Sequence, residues 1–330
     1  MEHKVYYLSE QDVVNALNMP KAITALTEML RLHGKNQVMN VPKALGRWAD
    51  GSTMHALGSV MTEESGYAGF KTWTNTKRGG GSLFTLFDAH TGLLLAIIEA
   101  RALGMMRTAA GTGVATQLLA PESAKVAALI GTGPQAVTQL EALLAVRDFE
   151  RVQVYSPTAE NREAFVAKVS QKHDVNIVAS QSLGEALSGA EVLTTVTRAT
   201  DPFITADMLA DCRHVNALGA ILPSKAEFDT SCLQLAEQIV VDDRENARKG
   251  SKELNDFLAG NEEGWDELPT LGTMLVEARG RDAATKLSFY KGMGMGLSDL
   301  AMAKFVYEHA VENDSGIHLP PQTRKNLLLS

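Results

Sequence analysis

The sequence predicts an α/β protein: a Rossmann-type, doubly wound parallel sheet together with a smaller α+β region. Three observations carry this. From Lys125 onward, short apolar runs alternate with helical patterns, the rhythm of a parallel sheet covered on both faces. At the first such run, "KVAALIGTGPQAVTQLEALLAV", a strand ends in Gly131-Thr132-Gly133 and an amphipathic helix starts at once. Before it, from about residue 40 to 100, short strand-like runs are broken by Gly, Asp and Asn, the pattern of hairpins.

Taken in order, "LSEQDVVNALN" predicts a helix with Ser9 as N-cap and Asp12 three residues on. Pro20 suits the first turn of a second helix, which ends near Gly34. "STMHALGSVM", "GYAGFKTWTN", "SLFTLFDAHTG" and "LLLAIIEA" predict a mainly antiparallel sheet, with "DAHTG" as a hairpin turn. "ALGMMRTAAGTGVATQLLA" is a helix ending before Pro121, rich in small residues that permit close packing. Strands are expected at Val126–Ile130, Val152–Tyr155, Asn176–Ala179, Val192–Val196, His214–Ala217 and Gln238–Val241. Residues 251–280 predict helix, loop, helix. "LSDLAMAKFVYEHAVEN" predicts a last helix returning to the first region, and "LPPQTRKNLLLS" a loosely held end. The expected domains are 1–118 with 300–330, and 119–299.

The chain of 330 residues is too long for one ordinary core, and 45% hydrophobic with 21% charged residues describes a globular enzyme. A net charge of −8 without a basic block argues against nucleic acid or an anionic membrane as partner. Cys212 and Cys232 sit in no CxxC or Cys/His cluster, and the histidines show no metal-ligand spacing, so buried free thiols and no metal are expected. The start, "MEHKVYYLSEQD", has charge and no apolar stretch; no signal peptide and a cytoplasmic protein are the expectation.

Gly131-Thr132-Gly133-Pro134-Gln135-Ala136 fits a dinucleotide turn. The first glycine makes the tight turn, the second admits a pyrophosphate, and Ala136 allows close helix–strand packing. At the end of the next strand, where an NAD site places an acid, stands Ser156. Ser156, Thr158 and Arg162 could donate to a 2′-phosphate, so the balance leans to NADP(H) over NAD(H). Lys71 lies among aromatics on an apparent strand, Arg107 interrupts a small-residue helix, and Lys43 follows a proline. Any one is compatible with a solvated charge, but a buried Arg107 would need an anion.

"GFK" (69–71), "DAHTG" (88–92), "RTAA" (107–110), "IGTGPQA" (130–136), "TTVT" (194–197), "NALGA" (216–220) and "FYKGMGMG" (289–296) stand in the order and spacing of one family. Over about residues 5–310 the chain resembles the ornithine cyclodeaminase/mu-crystallin family. The resemblance implies a homodimer whose Rossmann domain is inserted between an N-terminal α+β substrate and dimerisation domain and a returning C-terminal helix. It matches Lys71 to the active-site lysine, and Arg107 to an arginine reaching both substrate carboxylate and cofactor. Lys43, or Arg47 if the alignment slips, falls on a carboxylate-binding position; Lys291 and Gly292 fall on the substrate side. Cofactor positions are Ser82, Thr108, Pro134, Gln135, Ser156, Thr197, Leu218, Gly219, Ala220 and Lys225, beside the glycine turn.

One departure selects among activities. Cyclodeaminases of the family carry an Asp proton shuttle after the glycines of the "NALGA" segment, where this chain has Ile221. Isoleucine moves no proton. The implied activity is NAD(P)H-dependent reduction of a small α-imino acid, or amino acid dehydrogenation in reverse. A cyclodeaminase with its base at Asp88 or Glu227, and a crystallin-like protein binding NADPH and a ligand, are the alternatives.

Overall fold

The computed structural model describes residues 4–62 and 66–320. The chain opens with β1 (Val5–Leu8), α1 (Glu10–Ala16) and α2 (Met19–Gly34). Five strands follow: β2 (Val38–Arg47), β3 (Thr53–Met61), β4 (Tyr67–Asn75), β5 (Ser82–Asp88) and β6 (Leu94–Glu99). Helix α3 (Arg101–Leu119) leads to β7 (Val126–Ile130), α4 (Pro134–Val146), β8 (Arg151–Tyr155), α5 (Ala159–Val169), β9 (Asn176–Ala179), α6 (Leu183–Leu187) and β10 (Val192–Thr195). Next come β11 (His214–Ala217), α7 (Thr230–Leu235), β12 (Gln238–Val241) and four short helices: α8 (Arg244–Gly250), α9 (Lys252–Leu258), α10 (Glu262–Glu267) and α11 (Leu271–Val276). Strand β13 (Ser288–Lys291), helix α12 (Gly296–Asn313) and β14 (Ile317–Leu319) complete the order. Among the described residues no helix is long and apolar enough to cross a membrane.

Two compact units result: Met1–Asn18 with Asn36–Arg107 and Gly296–Ser330, and Met19–Lys35 with Thr108–Met295. The first holds a seven-stranded sheet in the order β14-β1-β6-β5-β4-β3-β2, antiparallel except for β1 beside β6. One face buries Leu57, Phe84 and Leu86 under α12 and carries Ile98, also buried, on β6. The other leaves Met39, Met54, Phe70 and Leu83 exposed. Ser9 caps α1 as the spacing predicts, its Oγ accepting from Asp12 N while the Asp12 carboxylate accepts from Ser9 N. Glu10 then caps α3, its two carboxylate oxygens accepting from Arg101 N at 2.6 Å and Ala102 N at 2.7 Å. The Asp88–Gly92 turn forms, with the Asp88 carboxylate accepting from His90 N and Thr91 N.

The second unit is an all-parallel seven-stranded sheet, β12-β13-β11-β10-β7-β8-β9. Val215, Phe228, Trp265 and Phe289 pack on one face; Leu129, Leu140, Val152 and Phe165 pack on the other. The six expected strands are present, within a residue at their ends. The seventh, β13, escapes a reading by hydrophobicity because Ser288 and Lys291 are fully buried polar residues within it.

Three expectations change. Helix α2 belongs with the parallel sheet, packing on α4 and on α11, where Gly34 and Gly272 bring the two backbones together. The chain passes between units inside α3, after Arg107, rather than at 118, and returns at Gly296 rather than 300. The helix–loop–helix expected over 251–280 is three short helices, because Ser251, Asn261 and Thr270 each cap a new start. Of the loosely held end, residues 321–330 lie outside the described residues.

Candidate active site

In the first unit, α12 starts where Gly296 has no side chain and can lie on the Gly58 carbonyl of β3. Asn40 Oδ1 accepts from Leu297 N at 2.9 Å and fixes that first turn. The turn carries Asp299, which is 0% exposed. Lys71 of β4 donates to Asp299 Oδ1 at 2.7 Å. Arg107 Nε lies 3.3 Å from the same oxygen. Gly104 makes room: a Cβ there would stand 3.1 Å from Lys71 Nζ. Removing an ammonium from water costs several kcal/mol, so this arrangement exists only because Asp299 is present.

Aromatic rings form the wall beside it. Lys71 Nζ is 5.0 Å and Lys43 Nζ 5.6 Å from the Trp73 ring centroid, and His55 stacks on Trp73 at 4.6 Å. Lys43 sits at the β2 bulge between Val41 and Ala44, exposed. Burial lowers the Lys71 pKa, Asp299 opposes the fall, and Arg107 and Lys43 add to it. Partial desolvation beside Trp73, then Arg107, lowers that of Lys43. His55 is lowered by burial, then by Lys43 and Arg47, which puts Arg47 at the rim of the same cluster. Ser82 opens β5 opposite Trp73. Two expected cations, Lys71 and Arg107, thus meet at one carboxylate that sequence reasoning missed, and the third, Lys43, stands beside them at Trp73. A lone Asp in the apolar run "GLSDLAMA" was the available signal.

In the second unit, Gly131 has φ +116°, and a Cβ there would meet the Val196 carbonyl oxygen at 2.8 Å. Only glycine fits. Gly133 caps α4 with nothing within 4 Å of its Cβ position, and no side chain caps the helix start. Pro134 opens the helix, Thr132 and Gln135 flank it, and Ala136 is 0% exposed against the sheet. Ser156 ends the β8 segment, accepting from Thr132 Oγ1 at 3.2 Å and donating to the Thr158 carbonyl at 3.3 Å. Arg162 is 6% exposed, donates to the Ser156 carbonyl and Gln181 Oε1, and lies over Tyr155.

Glu227 ties the remaining loops together. Its Oε1 accepts from Thr197 N at 2.8 Å; its Oε2 accepts from Thr195 Oγ1 and Gly219 N, both at 2.9 Å, and from Ala220 N at 3.3 Å. Thr197, Leu218, Gly219 and Ala220 are therefore set by one buried carboxylate, with Lys225 in the turn just before it. Glu227 N donates to Glu253, whose other oxygen holds Lys291 Nζ at 2.8 Å. Lys291 is 0% exposed, so the substrate contact expected of it has no surface to act through; it serves as the counter-charge of Glu253. Gly292, next to it, is buried too. As alternative bases, Glu227 and Asp88 are both taken up by backbone N–H donors. Both cysteines are free and buried, their thiols pushed up to about 12 by burial.

A glycine-turn parallel sheet in one unit and a buried cationic cluster in the other define a protein of the two-unit dinucleotide-fold class. The chain belongs to the ornithine cyclodeaminase/mu-crystallin family, whose model matches residues 3–314. It is 31% identical to an alanine dehydrogenase of Archaeoglobus fulgidus, over 94% of this chain and 96% of that one. It is 34% identical to a Δ1-pyrroline-2-carboxylate reductase of Bacillus cereus, over 73% of this chain and 74% of that one. The solved archaeal alanine dehydrogenase dimer with bound NAD matches at a TM-score of 0.87 and 28% identity, covering 96% of this chain and 99% of that one.

Proposed function

We propose that the protein is an NAD(P)H-dependent reductase of a small α-imino acid, running in reverse as an amino acid dehydrogenase. The observation that carries this is the cluster of Lys71 and Arg107 on the buried carboxylate of Asp299, with Lys43 close by at the Trp73 ring. The surplus positive charge suits a substrate carboxylate. Arg107 meets Asp299 through Nε, which leaves its terminal nitrogens as a fork for that anion. Lys43 and Arg47 add charge at the rim.

The glycine turn fits a dinucleotide: Gly131 and Gly133 hold the space, and the uncapped start of α4 supplies N–H donors for a pyrophosphate. Bound there, a reduced nicotinamide supplies a hydride. Reduction of C=N to CH–NH also takes one proton, which Lys71 gives to the nitrogen; in the oxidative direction Lys71 takes it back. Ser156 leaves the ribose end without a repelling acid, and the buried cation of Arg162 beneath it favours NADP(H) over NAD(H).

Ile221, 42% exposed, stands where cyclodeamination needs a proton shuttle. This disfavours the lyase reading, since neither Asp88 nor Glu227 is free to replace it. The relatives named as an alanine dehydrogenase and a Δ1-pyrroline-2-carboxylate reductase support redox chemistry at a C–N bond. We also propose a homodimer formed on the open sheet face of Met39, Met54, Phe70 and Leu83, as an apolar surface of this kind calls for a partner and the archaeal relative is a dimer.

The test is a panel with both reduced cofactors: pyruvate with ammonia or methylamine, Δ1-pyrroline-2-carboxylate, and iminosuccinate. A reductase consumes one reduced cofactor per product. Consumption of ornithine or lysine with ammonia release and no net cofactor change would establish the lyase instead. Cofactor binding without turnover of any compound would establish a binding protein.

A further inference from the structure

We propose that Asp299 is the positioning residue of this site: the proton donor of the reduction is a Lys71–Asp299 pair, not a lysine alone. This rests on the reductase reading above. Three elements distant in sequence converge on one oxygen, with Lys71 Nζ at 2.7 Å and Arg107 Nε at 3.3 Å from Asp299 Oδ1, while Oδ2 accepts no hydrogen bond among the described residues. The close fit of Gly296 on β3 and the Asn40 bond to Leu297 N leave the first turn of α12 little freedom, so Asp299 is aimed rather than incidental.

The charges around Lys71 give the pair its role. Facing it are Asp299 from α12, Arg107 from α3 and Lys43 from β2, with His55 of β3 behind the Trp73 ring. Burial disfavours the ammonium, and so do both neighbouring cations. Asp299 alone favours it. Without that carboxylate the ammonium loses the one neighbour that favours it, so at any given pH less of Lys71 carries the proton it has to supply. The same oxygen lies 3.3 Å from Arg107 Nε, so the carboxylate also offsets part of the positive charge that Arg107 brings to Lys71.

The experiment titrates Lys71 directly and through catalysis. Protein carrying [ε-13C]lysine is followed by NMR against pH, with the Lys71 signal assigned by its loss in Lys71→Met. In Asp299→Asn the midpoint falls by about one unit or more, and the alkaline limb of kcat for imine reduction moves by the same amount. At a pH below both limbs the variant regains kcat to within about threefold of wild type. Asp299→Glu restores most of the shift. An unmoved midpoint overturns the pair, and so does a kcat lowered equally at every pH, which is the mark of a merely structural salt bridge. Asp299→Ser is the second neutral variant if the amide does not fold. In the wild type itself, a Lys71 midpoint below about 7 overturns the proposal without any variant. Failure of the reductase reading is separate: it appears as a wild type that reduces nothing in the panel, while the NMR midpoint still decides whether Asp299 governs Lys71.

Discussion

Glu227→Gln is the most informative single change outside the cationic cluster. The side chain is 0% exposed, and its two oxygens take four donors, from Thr195, Thr197, Gly219 and Ala220. An amide of the same shape has one acceptor. With its oxygen placed at the three-donor position, its NH2 faces the Thr197 N–H, and donor meets donor. One charge-assisted bond is then lost, worth about 1.5–3 kcal/mol, and the other three weaken from charged to neutral. A total of about 2–4 kcal/mol follows. For a unit of roughly 200 residues this corresponds to a Tm lower by about 5–15 °C. Because the affected turns carry Thr197 and Ala220, the affinity for reduced dinucleotide falls with it, by about tenfold or more. Differential scanning calorimetry and quenching of protein fluorescence by NADH and NADPH read the two effects. A Tm within about 1 °C of wild type, with dinucleotide Kd within about twofold, would refute the claim that this carboxylate organises the loops.

Three further outcomes are expected. Lys71→Met lowers kcat by about 10²–10⁴ while leaving the dinucleotide Kd within about twofold, measured by steady-state kinetics and titration; normal turnover would remove Lys71 from the chemistry. Arg162→Met lowers the NADPH-to-NADH ratio of kcat/KM by about fivefold, the effect of one charge of order 1 kcal/mol at intermediate dielectric; an unchanged ratio would place the 2′-phosphate elsewhere. Asp242, held by Met293 N and Gly294 N, has its carboxyl pushed up to about 6 by burial. The folded protein keeps this proton up to about pH 6 while the unfolded chain releases it near 3.8, so the stabilisation is full below the lower value and lost as pH rises through the upper. The group makes wild type about 2 kcal/mol less stable at pH 7 than at pH 4 relative to Asp242→Asn, read by urea unfolding at each pH; parallel pH profiles would contradict it.

Much of the fold was legible because the signals are local. Strand β7 and the turn after it are readable from Val126 to Ala136, since the turn demands glycine at positive φ and the helix start demands an open backbone. The capped start of α1 and the Asp88 turn are equally local, each satisfied within four residues. The candidate cations Lys71 and Arg107 could be singled out because a charge among apolar neighbours has to be explained.

What that charge meets was decided by tertiary structure. Asp299 lies 228 residues from Lys71, and no periodicity or spacing connects them. Strand β13 was hidden for the same reason: Lys291 reads as a surface charge until Glu253 is brought to 2.8 Å and makes its burial tolerable. Helix α2 sits in the N-terminal sequence yet packs on α4 and α11 of the parallel-sheet unit, because the glycine contact that holds it belongs to α11. Sequence by itself determined the elements, the dinucleotide turn and the residues whose charge needed an answer. Which carboxylate answers each cation, and which unit each helix joins, depended on desolvation and close approach between distant segments, and those forces act only once the chain has folded.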